Sequence, residues 1–290
     1  MPGVSEPTAP AVFVPGHLTG FFSVHHRETS LATGSRGAGV TLTRGVTVAV
    51  TDLEGGTLRL NGRRTTVPAV DAVLDELGTD ATLVADADVP VGAGFGVSGA
   101  LALGGAIAVN RAAACGRSEN ELVRIAHRAE VDAETGLGDV VAQHRGGVPI
   151  RLEPGGPDHG VLDGIPDRQP IEYLSFGELS TVEVLSGDTA PIDRAGAAAL
   201  RTISSEPTLE TFFRASHRFA SEAGLLTDRV ASVVDDVVAA GGHAAMGMLG
   251  RTVFALDDGL SAAGYDATRC HIAPGGVRID PGNDTDTGRL

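Results

Sequence analysis

Residues 90–109 read PVGAGFGVSGALALGGAIAV, a glycine-rich turn that runs directly into a segment of small apolar residues. The residues before it, Thr82–Val89, are predicted to form a strand, and Ser98–Ala114 is predicted to form a buried helix. Glycines let main-chain N–H groups approach a ligand without a Cβ in the way. The first turn of a helix also presents unpaired N–H groups and a partial positive charge. The segment therefore predicts an anion-binding site at the start of a buried helix.

The same turn is open to three other interpretations besides an anion site. Residues 94–99 match the dinucleotide fingerprint G-x-G-x-x-G, which needs an acidic residue that ends a second strand about 20 residues later. The acid at that distance, Glu119, begins a predicted helix, so a nicotinamide-dependent oxidoreductase stays as the weaker alternative. A P-loop requires a lysine after its last glycine, and the chain contains no lysine, so that class is excluded. Tight packing of the helix would also account for the glycines.

The rest of the chain predicts a mixture of strands and helices. Val12–Val14 is predicted to be a short strand that ends at Pro15, and Gly39–Asp52 to be a strand or hairpin. Ser118 and Glu121 fit a capping box at the start of a second helix. Residues 153–169 are dense in glycine and proline and predict a domain boundary.

Beyond this boundary, strands and helices do not alternate strictly, which favours an α+β fold over a doubly wound sheet. The predicted elements are strands Ile171–Phe176 and Ser180–Leu185, helices Asp193–Ile203, Thr208–Ala223 and Asp228–Ala240, and strands within 243–249, 252–256 and 268–272.

Three segments resemble the motifs of the GHMP kinases, the superfamily that includes galactokinase, homoserine kinase and mevalonate kinase. Residues 90–100 resemble the second motif of that family, P-x-x-x-G-x-G-S-S-A, with Val97 in place of one serine. Residues 12–22 resemble its first motif, P-G-[KR]-[IV]-x-[LF], with His17 in the basic position. Residues 244–256 resemble its third motif, a glycine-rich turn between two strands, with most glycines lost.

The resemblance implies a two-lobed α+β fold and an ATP site. The expected lobes are residues 12–155, like domain 2 of ribosomal protein S5, and residues 170–280, with a ferredoxin-like fold. It also implies that ATP phosphates bind the turn, through Gly92, Ala93, Gly94, Phe95, Gly96, Val97, Ser98, Gly99 and Ala100.

Two carboxylates are implied to complete the site. Glu130, in the segment AHRAEV, is the expected Mg²⁺ ligand together with Ser98, the only hydroxyl in the motif. Asp139, in TGLGDVV, matches the aspartate that the family places near the acceptor hydroxyl, and would orient that hydroxyl or accept its proton. From the residues alone, Glu130 could be a solvated helix carboxylate and Asp139 an ordinary helix N-cap.

The segments PGHLTGFF, GSRGAGV and TGLGDVVAQ resemble one archaeal branch of the superfamily, which phosphorylates pantoate in coenzyme A biosynthesis. Arg36 is the expected partner of the pantoate carboxylate, because arginine binds carboxylates through two hydrogen bonds. His17 and Thr19 are expected to contact the substrate. The alternatives are a related kinase for homoserine, shikimate or a mevalonate-type acid, and a non-catalytic nucleotide-binding module.

Composition narrows the functional class further. The formal net charge is −15 and all 22 basic residues are arginine, so a duplex nucleic-acid partner is not expected. The acid-rich composition without lysine is typical of salt-adapted proteins. We expect a cytoplasmic protein without disulfides, because the sequence has only two cysteines, no basic–apolar leader and no long apolar run. A homodimer is possible.

Overall fold

The computed structural model describes residues 10–178 and 189–279. The strands are β1 (Val12–His25), β2 (Gly34–Asp52), β3 (Leu58–Leu60), β4 (Arg63–Thr65), β5 (Thr82–Ala87), β6 (Val148–Glu153), β7 (Val161–Ile165), β8 (Pro170–Glu178), β9 (Ala244–Gly247), β10 (Gly250–Leu256), β11 (Thr268–His271) and β12 (Arg278–Ile279). The helices are α1 (Pro68–Leu77), α2 (Val97–Ala112), α3 (Glu119–Asp132), α4 (Asp139–Arg145), α5 (Ala190–Ser205), α6 (Leu209–Glu222), α7 (Asp228–Ala239) and α8 (Gly259–Ala262).

The first sheet is built around the long antiparallel pair of β1 and β2. Its strand order is β12-β1-β2-β5-β3-β4, and β6 pairs with the far end of β2 and with β7. The prediction that the first strand ends at Pro15 was wrong, because β1 continues to His25. The pairing register shifts between Pro15 and His17, and a bulge of this kind is a place where a strand tolerates proline.

Helix α2 packs on this sheet, and α1 and α3 pack against α2. The predicted buried helix is confirmed as α2, which is buried along most of its length. It lies close to the sheet because Gly104 has no side chain: a Cβ there would lie 2.8 Å from a methyl group of Val48. Helix α3 begins with the predicted capping box, in which Ser118 accepts from the Glu121 N–H and the Glu121 carboxylate accepts from the Ser118 N–H.

The second sheet is antiparallel, with the order β11-β8-β10-β9. The three predicted helices of this half are confirmed as α5, α6 and α7, whereas the predicted strand Ser180–Leu185 lies outside the described residues. Helix α5 packs directly on β1, since a Cβ on Gly196 would lie 2.0 Å from the Phe22 carbonyl oxygen. Two sheets with helices packed on them confirm the predicted α+β class, while the lobe boundaries stay a prediction.

A cluster of phenylalanine rings joins the two halves of the chain. The cluster consists of Phe21, Phe22, Phe212, Phe213, Phe219 and Phe254. In addition, β12 at the end of the described chain pairs with β1. None of the helices in the described part of the chain has the length and apolar character needed to cross a membrane.

Candidate active site

The glycine-rich turn presents its main chain at the start of α2. Gly92, Gly94 and Gly96 have φ angles of 77°, 86° and 65°, the left-handed region in which glycine is most readily accommodated. Gly92 is exposed, and Gly94, Gly96 and Ser98 are partly exposed. The turn is therefore open at the helix N-terminus, where unpaired N–H groups favour an anion.

Buried residues between the open positions hold the turn against its neighbours. Phe95 packs edge-on against Tyr173 with ring centroids 4.9 Å apart, and its carbonyl oxygen accepts from the His17 N–H at 3.0 Å. The Ala93 carbonyl oxygen accepts from the Thr252 hydroxyl at 2.9 Å. A Cβ on Gly250 would lie 2.0 Å from that same oxygen. The three segments that resemble GHMP motifs therefore meet in space.

Asp139 begins α4 and is hydrogen-bonded to His17 from the first of these segments. The His17 Nδ1 and an Asp139 carboxylate oxygen lie 2.7 Å apart, and the imidazole is fully buried while a quarter of the Asp139 side chain is exposed. Burial opposes ionisation of Asp139, but the hydrogen bond from His17 and the nearby Arg151 charge hold its pKa below the ordinary value. Burial lowers the pKa of His17, so a neutral imidazole donates to an ionised carboxylate.

The glycine-rich turn lies directly beside Asp139. A Cβ on Gly96 would lie 3.2 Å from an Asp139 carboxylate oxygen, and the Gly96 carbonyl oxygen accepts from the Gln143 amide at 2.9 Å. Gly99 is similarly close to the Asp139 Cβ and the Gln143 side chain. Both glycines are needed for this approach, because any side chain would fill the space between α2 and α4.

Glu130 is buried inside the molecule, on the side of α3 that faces the turn. Only 2% of the residue is exposed, and its Oε1 accepts hydrogen bonds from the Ser98 hydroxyl at 2.5 Å and the Thr135 hydroxyl at 2.8 Å. Burial raises the pKa of Glu130 to about 7, although both hydroxyls oppose the rise. No described cation offsets this buried carboxylate.

The residues around Glu130 suit a magnesium ion. Mg²⁺ prefers hard oxygen ligands and is commonly held by one or two carboxylates together with substrate phosphates. Ser98 and Glu130 supply a hydroxyl and a carboxylate beside the open turn, and a divalent cation would favour the ionised form that burial now disfavours. In the described ranges, no group of three or more His, Cys, Asp or Glu side chains is arranged to hold a metal.

The two predicted carboxylates lie on the same side of the molecule. A Cβ on Gly136 would lie 2.4 Å from Glu130 Oε2 and 3.5 Å from Asp139 Oδ2. Gly136 therefore separates the two groups without a side chain of its own. The turn, the Ser98–Glu130 pair and Asp139 form one continuous site.

A narrow cleft opens beside Asp139 and contains an arginine that the sequence analysis missed. Arg151, on β6, is 2% exposed, and its Nε and Nη1 have no hydrogen-bond partner in the described part of the chain. Burial lowers its pKa to about 10, and the Asp139 charge opposes that shift. The cleft is lined by Thr19, Phe22, Ser35, Gly136, Leu137, Gly138, Asp139, Arg151 and Leu249.

The predicted substrate residues are placed differently from one another. Thr19 lines the cleft, whereas His17 is fully buried behind Asp139. Arg36 lines a neighbouring cavity with His25, pairs with the Glu153 carboxylate and is not among the residues of the cleft. Its role in carboxylate binding stays a prediction.

Comparison with known proteins identifies the family to which the chain belongs. The family model for the GHMP kinase N-terminal domain matches residues 64–147. A solved structure, described as a phosphotransferase related to the coenzyme A biosynthesis pathway, aligns with a TM-score of 0.82 and 28% identity over 93% of this chain and 97% of its own. The fold and the matched domain therefore place the chain among the GHMP kinases.

Full-length relatives narrow the assignment. A pantoate kinase from Methanocaldococcus jannaschii is 34% identical over 270 residues, which cover 86% of this chain and 96% of the relative. A pantoate kinase from Thermococcus kodakarensis is 34% identical over 263 residues, which cover 84% and 86%. Within the GHMP superfamily, the chain belongs to the pantoate kinase family.

Proposed function

We propose that this chain transfers the γ-phosphate of ATP to the primary hydroxyl of pantoate, giving 4-phosphopantoate for coenzyme A biosynthesis. One observation carries the proposal: the Asp139 carboxylate and the buried guanidinium of Arg151, two of whose nitrogens have no hydrogen-bond partner, border a single cleft beside the phosphate-type turn. A hydroxy acid could bind between them, with its carboxylate at Arg151 and its hydroxyl at Asp139.

The carboxylate end of pantoate fits Arg151. The nearby Asp139 charge favours the Arg151 cation, but its Nε and Nη1 have no hydrogen-bond partner, which is costly in a buried group. A carboxylate ligand would give this guanidinium charge-assisted hydrogen bonds. Ser35 lines the same cleft, and its hydroxyl, which donates to the Leu137 carbonyl oxygen at 3.3 Å, could turn its proton to the ligand instead. We therefore assign carboxylate binding to Arg151 with Ser35, in place of Arg36.

The hydroxyl end fits Asp139. The lowered pKa keeps this carboxylate ionised at neutral pH, so it can accept a hydrogen bond from the primary hydroxyl and direct the oxygen at the phosphorus. Phosphoryl transfer usually passes through a loose transition state, in which positioning and charge stabilisation matter more than a strong base. Asp139 then receives the proton as the new P–O bond forms. His17 fixes the orientation of the carboxylate from behind.

The phosphates of ATP fit the open turn. The N–H groups at the start of α2 would hold the phosphate oxygens, and the helix dipole contributes about 1 kcal/mol. Ser98 and Glu130 would hold Mg²⁺, which supplies charge neutralisation for the transferred phosphoryl group. The chain contains no lysine, so this cation and Arg151, which lies near Asp139, would supply positive charge to the reaction.

Several finer assignments belong to the same proposal. The archaeal relatives and the acid-rich composition without lysine support an archaeal, salt-adapted source. A cytoplasmic location and a homodimer are proposed with it. Activity measured from low to molar KCl concentrations tests the proposed salt adaptation, since a salt-adapted enzyme should be most active at the highest concentrations.

A substrate panel tests the proposed reaction directly. ADP formation would be coupled to NADH oxidation with pantoate, homoserine, shikimate and mevalonate as acceptors, and the product identified by phosphorus NMR. We expect turnover with pantoate and a phosphate ester on its primary hydroxyl. Preference for another acceptor would transfer the assignment to that substrate. Tight binding of NADH in the absence of other ligands would instead support the oxidoreductase alternative.

Asp139→Asn separates an enzyme from a nucleotide-binding module. Asparagine keeps the shape of the side chain but cannot accept the proton, so we expect kcat to fall by roughly 10²–10⁴ with the KM for ATP little changed. Asp75→Asn, on the exposed side of α1, is the matched control and should leave both constants unchanged. Full turnover by Asp139→Asn would contradict the assigned role.

A further inference from the structure

Leu249 occupies a backbone conformation that its residue type disfavours. It lies in the tight turn between β9 and β10 with a φ of 61°, in the left-handed region. An L-residue other than asparagine or aspartate is disfavoured in this conformation, because its Cβ lies too close to the following carbonyl oxygen. The turn is held in place because the N–H of Met248 donates to the Thr19 carbonyl oxygen at 2.7 Å. Strain of this kind at the edge of a site points to a requirement for the side chain itself.

Leu249 lines the cleft that contains Asp139 and Arg151. Phe22 and Leu137 line the same cleft, so it combines an apolar wall with polar groups for the two ends of a substrate. Phe22 is 4% exposed and packs against Phe219, with ring centroids 5.7 Å apart, so the core accounts for its presence. Leu249 also packs against the core, but it remains partly exposed, so it stays available to a ligand in the cleft.

The chemistry of the proposed acceptor matches this wall. Pantoate carries two methyl groups on the carbon next to its primary alcohol, between the groups assigned to Asp139 and Arg151. Burying a methyl group against an apolar wall is favourable, and an apolar pocket discriminates by about 10–200-fold for each methylene-sized group. We infer that Leu249 is a specificity-determining residue that contacts the dimethyl carbon and makes the cleft select a branched hydroxy acid over an unbranched one. This inference rests on the proposed function.

Comparison of two acceptors tests the inference. The kcat/KM values for pantoate and for 2,4-dihydroxybutanoate, which lacks both methyl groups, would be measured in the wild type and in Leu249→Ala. We expect the wild type to prefer pantoate by at least about tenfold, and Leu249→Ala to reduce that preference by about tenfold. The loss should appear mainly with pantoate, because the unbranched acid makes little contact with the leucine.

Leu249→Asn separates selectivity from stability. Asparagine tolerates the left-handed region, so this variant relieves strain and should retain the melting temperature of the wild type while it loses the preference for pantoate. Asp257→Gly is the matched control, because Asp257 has a φ of 55° and does not line the cleft. It should leave the ratio of the two kcat/KM values unchanged.

Several outcomes would overturn the inference. They are a wild type that does not distinguish the two acids, an unchanged ratio in the Leu249 variants, and an equal loss with both acids. If Leu249→Ala does not fold, Leu249→Asn supplies the same comparison. A wild type that phosphorylates neither acid refutes the proposed function instead, so the two failures are distinguishable.

Discussion

Replacing Glu130 by glutamine should stabilise the metal-free protein, and more so at alkaline pH. Burial raises the pKa of Glu130 from 4.5 to about 7. A carboxyl group whose pKa is higher in the folded than in the unfolded state lowers stability once the pH exceeds the unfolded value. That cost is complete above the folded pKa. A shift of this size corresponds to roughly 3 kcal/mol at pH 8 and to less than about 1 kcal/mol at pH 5.

The expected free-energy difference can be measured by urea unfolding at the two pH values, in one salt concentration and without divalent cations or nucleotide. The glutamine carbonyl can still accept from the Ser98 and Thr135 hydroxyls, so those hydrogen bonds are retained. The free energy of unfolding of Glu130→Gln should therefore exceed that of the wild type by about 3 kcal/mol at pH 8. Glu54→Gln, in the exposed turn after β2, should differ from the wild type by no more than about 0.5 kcal/mol at either pH.

The same variant should lose phosphoryl transfer. A neutral amide cannot replace the carboxylate in binding Mg²⁺, so we expect kcat to fall by roughly a hundredfold or more. Greater stability combined with lower activity is the trade-off expected of a site that is destabilised in order to bind a cation. A stability difference that is the same at pH 5 and pH 8 would refute the buried-carboxylate argument. Full activity in the stabilised variant would refute the metal role.

Two further substitutions test the cleft and the turn. Arg151→Gln should raise the KM for pantoate by roughly 10–100-fold and leave the KM for ATP unchanged. Arg36→Gln should change the KM for pantoate only a few-fold. A larger rise in Arg36→Gln than in Arg151→Gln would assign carboxylate binding to Arg36. Gly96→Ala should weaken ATP binding and cost about 1–2 kcal/mol, because its φ is 65° and the new Cβ would lie 3.0 Å from the Gln143 amide. Gly78 has a similar φ of 67°, and a Cβ there would meet no other atom within 4 Å. The control Gly78→Ala should therefore lose similar stability without weakening ATP binding. Equal losses of ATP binding in the two variants would contradict the role of the turn.

Local chemistry made much of the fold predictable from the sequence. The start of α2 differs from the prediction by one residue. The boundary was predictable because the turn glycines with positive φ end at Gly96, and a run of mostly small apolar residues follows. The capping box at Ser118 and Glu121 depends only on residues three apart, and it is present. Pro15 misled the strand prediction, because a bulge that accommodates proline depends on the partner strand β2.

The cleft was harder to predict because residues far apart in sequence build it. Arg151 carried one usable signal, an arginine within the otherwise apolar run VPIRL, but nothing nearby in sequence pointed to Asp139. Ser35 and Arg36 are adjacent on a strand and therefore point to opposite faces, so the pairing register decides which one reaches the cleft. The strain at Leu249 is a backbone property, and its position in the sequence gives no sign of it.

A crystal structure with a non-hydrolysable ATP analogue, Mg²⁺ and pantoate tests the central claim most directly. We predict phosphate oxygens within hydrogen-bond distance of main-chain N–H groups between Gly94 and Ser98, and the primary hydroxyl of pantoate in contact with the Asp139 carboxylate. A triphosphate bound elsewhere on the protein, or an acceptor whose hydroxyl points away from Asp139, would contradict it.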